Sequence, residues 1–188
     1  MGVNQAGAGV HIYNTSSLLP VGWHNNGTFA STGDLPIAPD VFVNVRNMGS
    51  QKSLVLTGRV PIRTCATTLA TLAANTPQDN IVGNPFPIPV SLQDSNLIQS
   101  GAFTPTSDID SPKDLLMLFK SDQVGHNIQP SHIYFYSTDP ELGTGWFNLG
   151  NMDGPVDHTE YLLPGRGAIV RKAGGTIHAQ VWPVPHPY

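Results

Sequence analysis

Three aspartates form the densest group of potential metal ligands in the sequence. Asp108, Asp110 and Asp114 lie within seven residues, and carboxylate oxygens are ligands that Ca²⁺ prefers. The Asp-x-Asp alternation resembles the start of a calcium-binding loop. However, the central glycine and the closing glutamate are absent, and Pro112 and Lys113 interrupt the segment. A loop of Asx turns is therefore the favoured interpretation. Calcium is the one cofactor that the sequence suggests, with these aspartates as its candidate ligands.

Two tryptophans in matching contexts form the second candidate site. Trp23 and Trp146 each follow a glycine and lie two residues before an asparagine. A repeated indole could stack on sugar rings and bind a carbohydrate ligand. It could equally anchor the core of each half of the chain, with its N–H paired to the backbone. Because a duplicated fold keeps its core anchors in duplicate, the core interpretation is favoured. Ligand binding at Trp23 and Trp146 stays the alternative.

The sequence contains no recognisable catalytic motif. Its seven histidines are scattered, without the close spacing that places two metal ligands on one helix face. The one cysteine, Cys65, lies in no protease signature, and the Gly-x-Ser-x-Gly pattern of serine hydrolases is absent. Histidines that are hydrogen-bonded at strand ends are the simpler interpretation. The sequence therefore predicts a protein that is not an enzyme.

Composition favours a β-rich chain and disfavours two classes of partner. Of the 188 residues, 19 are glycine and 17 are proline, and only 12% are charged. This mixture is typical of short strands joined by many turns. The net charge of −4 argues against binding to nucleic acid, which proteins meet with a basic surface. No apolar run approaches the length of a membrane span.

Two stretches of the chain resemble each other and flank a different middle segment. His11-Ile12-Tyr13 recurs 121 residues later as His132-Ile133-Tyr134, and Gly22-Trp23-His24-Asn25 recurs 123 residues later as Gly145-Trp146-Phe147-Asn148. Val43-Asn44-Val45-Arg46 recurs 125 residues later as Ala168-Ile169-Val170-Arg171. The sequence therefore predicts a first β-repeat over residues 1–63, a middle segment over 64–130 and a second β-repeat over 131–188, folded as one compact unit.

Apolar and alternating runs predict the strands. In the first repeat they cover Val10–Tyr13, Val41–Arg46 and Ser53–Val60, and in the second His132–Tyr136, Gly167–Lys172 and Thr176–Val184. The middle segment adds strands over Thr67–Ala73, Asn80–Gly83 and Asp114–Lys120, and a short helix over Leu92–Gln99 capped by Ser91. The expected fold is all-β: two related β-units packed as a sandwich or a barrel-like pair, with at most one short helix.

These strands define a candidate core and reveal an asymmetry. The core residues are Ile12, Tyr13, Trp23, Phe42, Val43, Val45, Leu54, Leu56, Phe86, Leu116, Leu118, Ile133, Tyr134, Trp146, Ile169 and Val170. The strand over Asp114–Lys120 precedes the second repeat, but no counterpart precedes the first. An unpaired strand edge exposes backbone donors and acceptors. We expect either that the natural protein begins further upstream, which is favoured, or that a strand from another chain fills the position.

Two short motifs are the most distinctive in the chain. They are Asn84-Pro85-Phe86-Pro87 and Leu163-Pro164-Gly165-Arg166-Gly167, the latter followed by Val170-Arg171. Their order resembles that of a family of uncharacterised secreted bacterial β-proteins, some of which carry C-terminal sorting tails for the cell surface. The resemblance covers most of the chain and implies a β fold and an extracellular location, but no activity. Met1–Gln5 is not a signal peptide, so a secreted protein would have lost its leader.

The expected function is that of a secreted or cell-surface structural or adhesive β-module, which can assemble with itself through an open edge strand. One alternative is a carbohydrate-binding or glycan-active extracellular domain. Another is a viral or phage structural β-domain. The expected partners are further copies of the chain or components of the cell surface or extracellular matrix. Neither nucleic acid nor a membrane span is expected.

Overall fold

The computed structural model describes residues 9–36, 45, 49–50, 62–120 and 128–187. Contacts group the chain into two units, Met1–Val41 (unit 1) and Phe42–Tyr188 (unit 2). The boundary between the units falls inside the first predicted repeat, and the middle segment belongs to the same unit as the second repeat. The strands predicted over Val41–Arg46 and Ser53–Val60 lie outside the described residues, apart from Val45. So do the predicted core residues Phe42, Val43, Leu54 and Leu56.

The described residues of unit 1 form one antiparallel hairpin. Strands β1 (His11–Asn14) and β2 (Gly22–Asn25) pair with each other, with Tyr13 opposite Trp23. The Asn14 side chain closes the connecting loop, because its Nδ2 donates to the carbonyl of Leu19 at 2.7 Å and its Oδ1 accepts from the backbone N–H of Ser16. Trp23 therefore lies in a strand.

Unit 2 is built around a five-stranded antiparallel sheet, with strand order β4-β10-β6-β7-β8. Two further pairs, β11 with β3 and β5 with β9, complete its described strands. The described part of the chain is all-β and its sheets form no closed barrel, which is compatible with a sandwich-like fold. The strand bounds are β3 Cys65–Thr71, β4 Gln78–Gly83, β5 Val90–Ser91, β6 Leu115–Leu118, β7 His132–Asp139, β8 Gly143–Asn148, β9 Tyr161–Leu162, β10 Gly167–Lys172 and β11 His178–Val184.

Two local predictions in the middle segment are tested directly by the structure. The uninterrupted apolar run at Leu115–Leu118 is a strand between β10 and β7, with neighbouring residues Leu116 and Met117 both buried, as predicted. Ser91 also forms a cap: its Oγ accepts the N–H of Asp94 at 3.0 Å and donates to the Asp94 carboxylate at 2.6 Å. The predicted helix is shortened to one 3₁₀ turn, Gln93–Ser95, because Asn96 adopts a left-handed conformation with φ of 62°.

The core of unit 2 joins one face of the sheet to the β3–β11 pair and to the intervening segment. From the sheet it takes Val82, Leu116, Tyr134, Trp146, Ala168 and Val170. Leu69, Trp182 and Val184 enter from the β3–β11 pair, and Phe86, Leu97 and Phe103 enter from the segment between β4 and β6. The orientation of the Trp182 ring is fixed because its indole N–H donates to the carbonyl of Ser95 at 2.7 Å. Burial of these large apolar side chains is the main force that holds unit 2 together.

The last strand does not form the hairpin that its sequence suggests. The turn at Ala173–Gly175 predicts that the following strand returns alongside β10. In the structure β10 has β4 on one edge and β6 on the other, so neither edge is free. Strand β11 therefore pairs with β3 instead.

Candidate functional site

The hairpin of unit 1 is repeated in unit 2. Tyr13 pairs with Trp23 across β1 and β2, and Tyr136 pairs with Trp146 across β7 and β8. Each residue of the second hairpin is thus numbered 123 higher than its equivalent in the first. The alignment of Tyr13 with Tyr134, which the His-Ile-Tyr motif suggests, is wrong by two residues. A two-residue shift keeps every side chain on its own face of a strand, which is why the sequence pattern does not reveal it.

Backbone details extend this equivalence beyond the register. Gly22 and Gly145 both adopt positive φ, 145° and 150°, a region that favours glycine. The N–H of Asn26 donates to the carbonyl of Val10 at 2.9 Å, and the N–H of Leu149 donates to that of Ile133 at 2.8 Å. All three pairs differ by 123 in residue number. The hairpin is therefore one structural element present twice.

The aromatic pair has the same geometry in both hairpins. The ring centroids of Tyr13 and Trp23 are 5.3 Å apart with an interplanar angle of 73°, and those of Tyr136 and Trp146 are 5.5 Å apart at 83°. Both are edge-on contacts, an arrangement that the quadrupoles of aromatic rings favour. We call the surface formed by the Tyr13 and Trp23 side chains the Tyr13–Trp23 face.

The two hairpins differ in what covers this pair. Trp146 is 1% exposed, because Phe103 packs on it with ring centroids 4.9 Å apart. Trp23 is 46% exposed and Tyr13 is 55% exposed. The prediction that Trp146 anchors the core is confirmed, and the predictions that Tyr13, Trp23 and Val45 belong to the core are wrong. A sugar could reach Trp23, whereas burial leaves no open ring face on Trp146.

The other apolar side chains of unit 1 reinforce the contrast. Large apolar residues that are exposed there, besides the aromatic pair, are Val10, Leu18, Val21, Phe29 and Leu35. Among the described residues of this unit, His24 alone is buried. Its Nδ1 and Nε2 lie 3.1 and 2.8 Å from the carbonyl oxygens of Phe29 and Pro20. Contiguous exposed apolar side chains mark binding sites for other molecules, and in unit 1 the rings of Tyr13 and Trp23 are exposed and in contact with each other.

The three candidate calcium ligands do not converge on one site. Asp108 forms an Asx turn, in which its Oδ1 accepts the backbone N–H of Asp110 at 3.0 Å. Asp114 is buried and contacts Lys172. Within the described ranges, no group of three histidine, cysteine, aspartate or glutamate side chains could hold a metal ion. Nothing in this arrangement adds support for calcium, which stays a prediction.

Asp114 is instead one half of a buried ion pair. Its carboxylate accepts hydrogen bonds from Lys172 Nζ and from the backbone N–H groups of Thr104 at 2.7 Å and Ala173 at 2.8 Å. Lys172 also donates to the carbonyl of Ala102 at 2.8 Å. These bonds join the start of β6 to the end of β10 and to the segment that carries Phe103. With its hydrogen-bonding capacity used in this way, the pair has a structural role.

One shallow cleft of unit 2 gathers several charged side chains. It measures about 130 Å³ and is lined in part by Lys120, His132, Glu160 and Arg166. Small-molecule sites usually measure roughly 300–1,000 Å³, so this cleft is small for a substrate. Beside it, burial first and the charge of Glu160 second raise the pKa of the Tyr134 hydroxyl.

Comparison with known proteins adds no assignment. No family model matches the chain, and neither the curated proteins nor the solved structures include a significant match. The helices found in the described ranges include none that is long and apolar enough to cross a membrane. The resemblance to secreted β-proteins therefore stays a prediction.

Proposed function

We propose that the chain is a non-enzymatic structural or adhesive β-module of a secreted or cell-surface protein, which binds further β-segments through the Tyr13–Trp23 face. One observation carries this proposal: the same hairpin occurs twice, covered in unit 2 and open in unit 1. A large aromatic pair that stays exposed to water gains free energy when a partner covers it. The low charge content of the chain, 12%, supports an extracellular location.

Light scattering over a concentration series tests self-association. We expect the solution mass to rise with concentration, because two open apolar faces can bury each other. Replacing the exposed indole (Trp23→Ser) should abolish the rise. Leu72→Ser is the matched control, since Leu72 is also exposed but lies in unit 2. A mass that stays monomeric at every concentration would contradict self-association.

Carbohydrate binding is the second candidate function. It is favoured by the half-exposed indole of Trp23, whose open face could stack on a sugar ring. Soluble oligosaccharides should then change the fluorescence of Trp23 in a saturable way, and Trp23→Ala should remove the response. Titration of neutral and acidic glycans with no spectral change would eliminate this candidate.

A further inference from the structure

Unit 2 shows what covers the repeated hairpin. Strand β6 pairs with β7 so that Leu116 lies opposite Tyr134 and Leu118 lies opposite His132. Phe103, from the segment that leads to β6, packs on Trp146. One stretch of chain, residues 102–120, thus supplies both a neighbouring strand and an aromatic cover.

Subtracting 123 from a residue number in the second hairpin gives the equivalent residue in the first, so the place of β6 can be located in unit 1. Tyr134 corresponds to His11 and His132 corresponds to Gly9, so a strand equivalent to β6 would lie opposite residues 9–11. Among the described residues, β2 is the one strand that pairs with β1. The edge of β1 away from β2 therefore has the position that β6 occupies on β7.

We propose that the Tyr13–Trp23 face binds a β-segment with the chemistry of residues 102–120 of this chain. The segment would carry an aromatic side chain that packs on Trp23, as Phe103 packs on Trp146. It would also carry a short apolar strand, like Leu115–Leu118, that pairs with β1. This inference rests on the proposed function and specifies its partner.

A synthetic peptide of residues 102–120 added to the full chain tests the proposal. The peptide contains no tryptophan. Trp23 is half-exposed in the protein, whereas Trp146 and Trp182 are buried. A shift of tryptophan emission to shorter wavelength would therefore show that the peptide covers Trp23. We expect a saturable shift, together with slower hydrogen exchange in β1. A peptide with Phe103→Ala should bind about tenfold more weakly or worse, as loss of a central aromatic contact does elsewhere.

Three results would overturn the proposal. The first is no shift of emission at any peptide concentration. The second is equal binding of the Phe103→Ala peptide, which requires no change to the protein and so cannot reflect misfolding. The third is slower exchange that is confined to unit 2 and absent from β1, because the peptide would then bind somewhere other than the Tyr13–Trp23 face.

The results of the peptide and light-scattering experiments distinguish a failure of this inference from a failure of the proposed function. Peptide binding to a chain that stays monomeric would support this inference and contradict self-association. Self-association that needs Trp23, without peptide binding, would support the proposed function and show that the segment named here is wrong.

Discussion

The buried ammonium of Lys172 forms an ion pair with the carboxylate of Asp114. We expect Lys172→Met to lower the free energy of unfolding by about 3–5 kcal/mol, because it leaves a buried carboxylate without its counter-charge. Urea denaturation of unit 2, followed by the fluorescence of its buried tryptophans, measures the loss. Lys113→Met is the matched control, since Lys113 is exposed, and it should change stability by less than about 0.5 kcal/mol. Equal effects of the two substitutions would contradict a structural role for the pair.

Asp139 makes the β7–β8 turn sensitive to acid. Its carboxylate accepts N–H groups from Glu141 at 2.8 Å and from Leu142 and Ile109 at 3.3 Å. These bonds hold the pKa of Asp139 below its usual value of 3.8. A lowered folded-state pKa adds stability that is present above the unfolded pKa and is lost as pH falls through the folded pKa.

The pH dependence of thermal unfolding tests this effect. We expect Asp139→Asn to melt below the unsubstituted chain at neutral pH, since a neutral amide accepts these bonds more weakly. The difference should shrink as the pH falls from about 5 towards 2, where the carboxyl group of the unsubstituted chain becomes protonated. Asp153→Asn serves as a control for a general change of charge. A difference that is the same at every pH would contradict the assignment.

At the scale of the strand pair, the two equivalent glycines provide a matched experiment. Both have positive φ, so an alanine at either position should cost about 1–3 kcal/mol in backbone strain. At Gly145 the new Cβ would also lie 2.8 Å from Asp157 Oδ2 and 2.9 Å from Pro155 Cβ, whereas at Gly22 it would meet nothing within 4 Å. Overpacking of this kind adds about 1–3 kcal/mol.

We therefore expect Gly145→Ala to destabilise its hairpin more than Gly22→Ala does. Hydrogen exchange at the equivalent amides of Leu149 and Asn26 measures both changes, each against the unsubstituted chain. Equal losses would mean that the segment around Asp157 moves aside at little cost.

Strand β6 and the Ser91 cap could be predicted because each depends on local sequence. A continuous apolar run suits a central strand, and Ser91 lies three residues before the N–H that it caps. The partner of β11 could not be predicted in this way, since it depends on which strand edges remain free after the sheet has formed. The hairpin equivalence was visible in the sequence only approximately, because strand patterns repeat every two residues.

The exposure of Trp23 could not be predicted from its own sequence context. Gly22-Trp23 and Gly145-Trp146 are locally alike, and their strand pairing is the same. What differs is Phe103, which lies 43 residues before Trp146 in the chain and packs on it. The burial of a duplicated residue thus depends on whether a distant segment accompanies each copy.

At the scale of the whole molecule, the two copies of the hairpin differ in the described strands that surround them. In unit 2 the hairpin belongs to a five-stranded sheet and its tryptophan is part of the core. In unit 1 the described strands are those of the hairpin alone. Isolated two-stranded hairpins are marginally stable in water. The same element should therefore have two different stabilities in one chain.

Native-state hydrogen exchange compares them at equivalent atoms. The N–H of Asn26 and the N–H of Leu149 make matching bonds, 2.9 and 2.8 Å long, so bond geometry does not favour either one. We expect Leu149 to exchange at least about a hundredfold more slowly, because its opening must disrupt the core of unit 2 whereas that of Asn26 exposes little further apolar surface. Exchange rates within about tenfold of each other would mean that the hairpin of unit 1 is already covered as effectively as that of unit 2. Such a result would remove the reason for a partner at the Tyr13–Trp23 face.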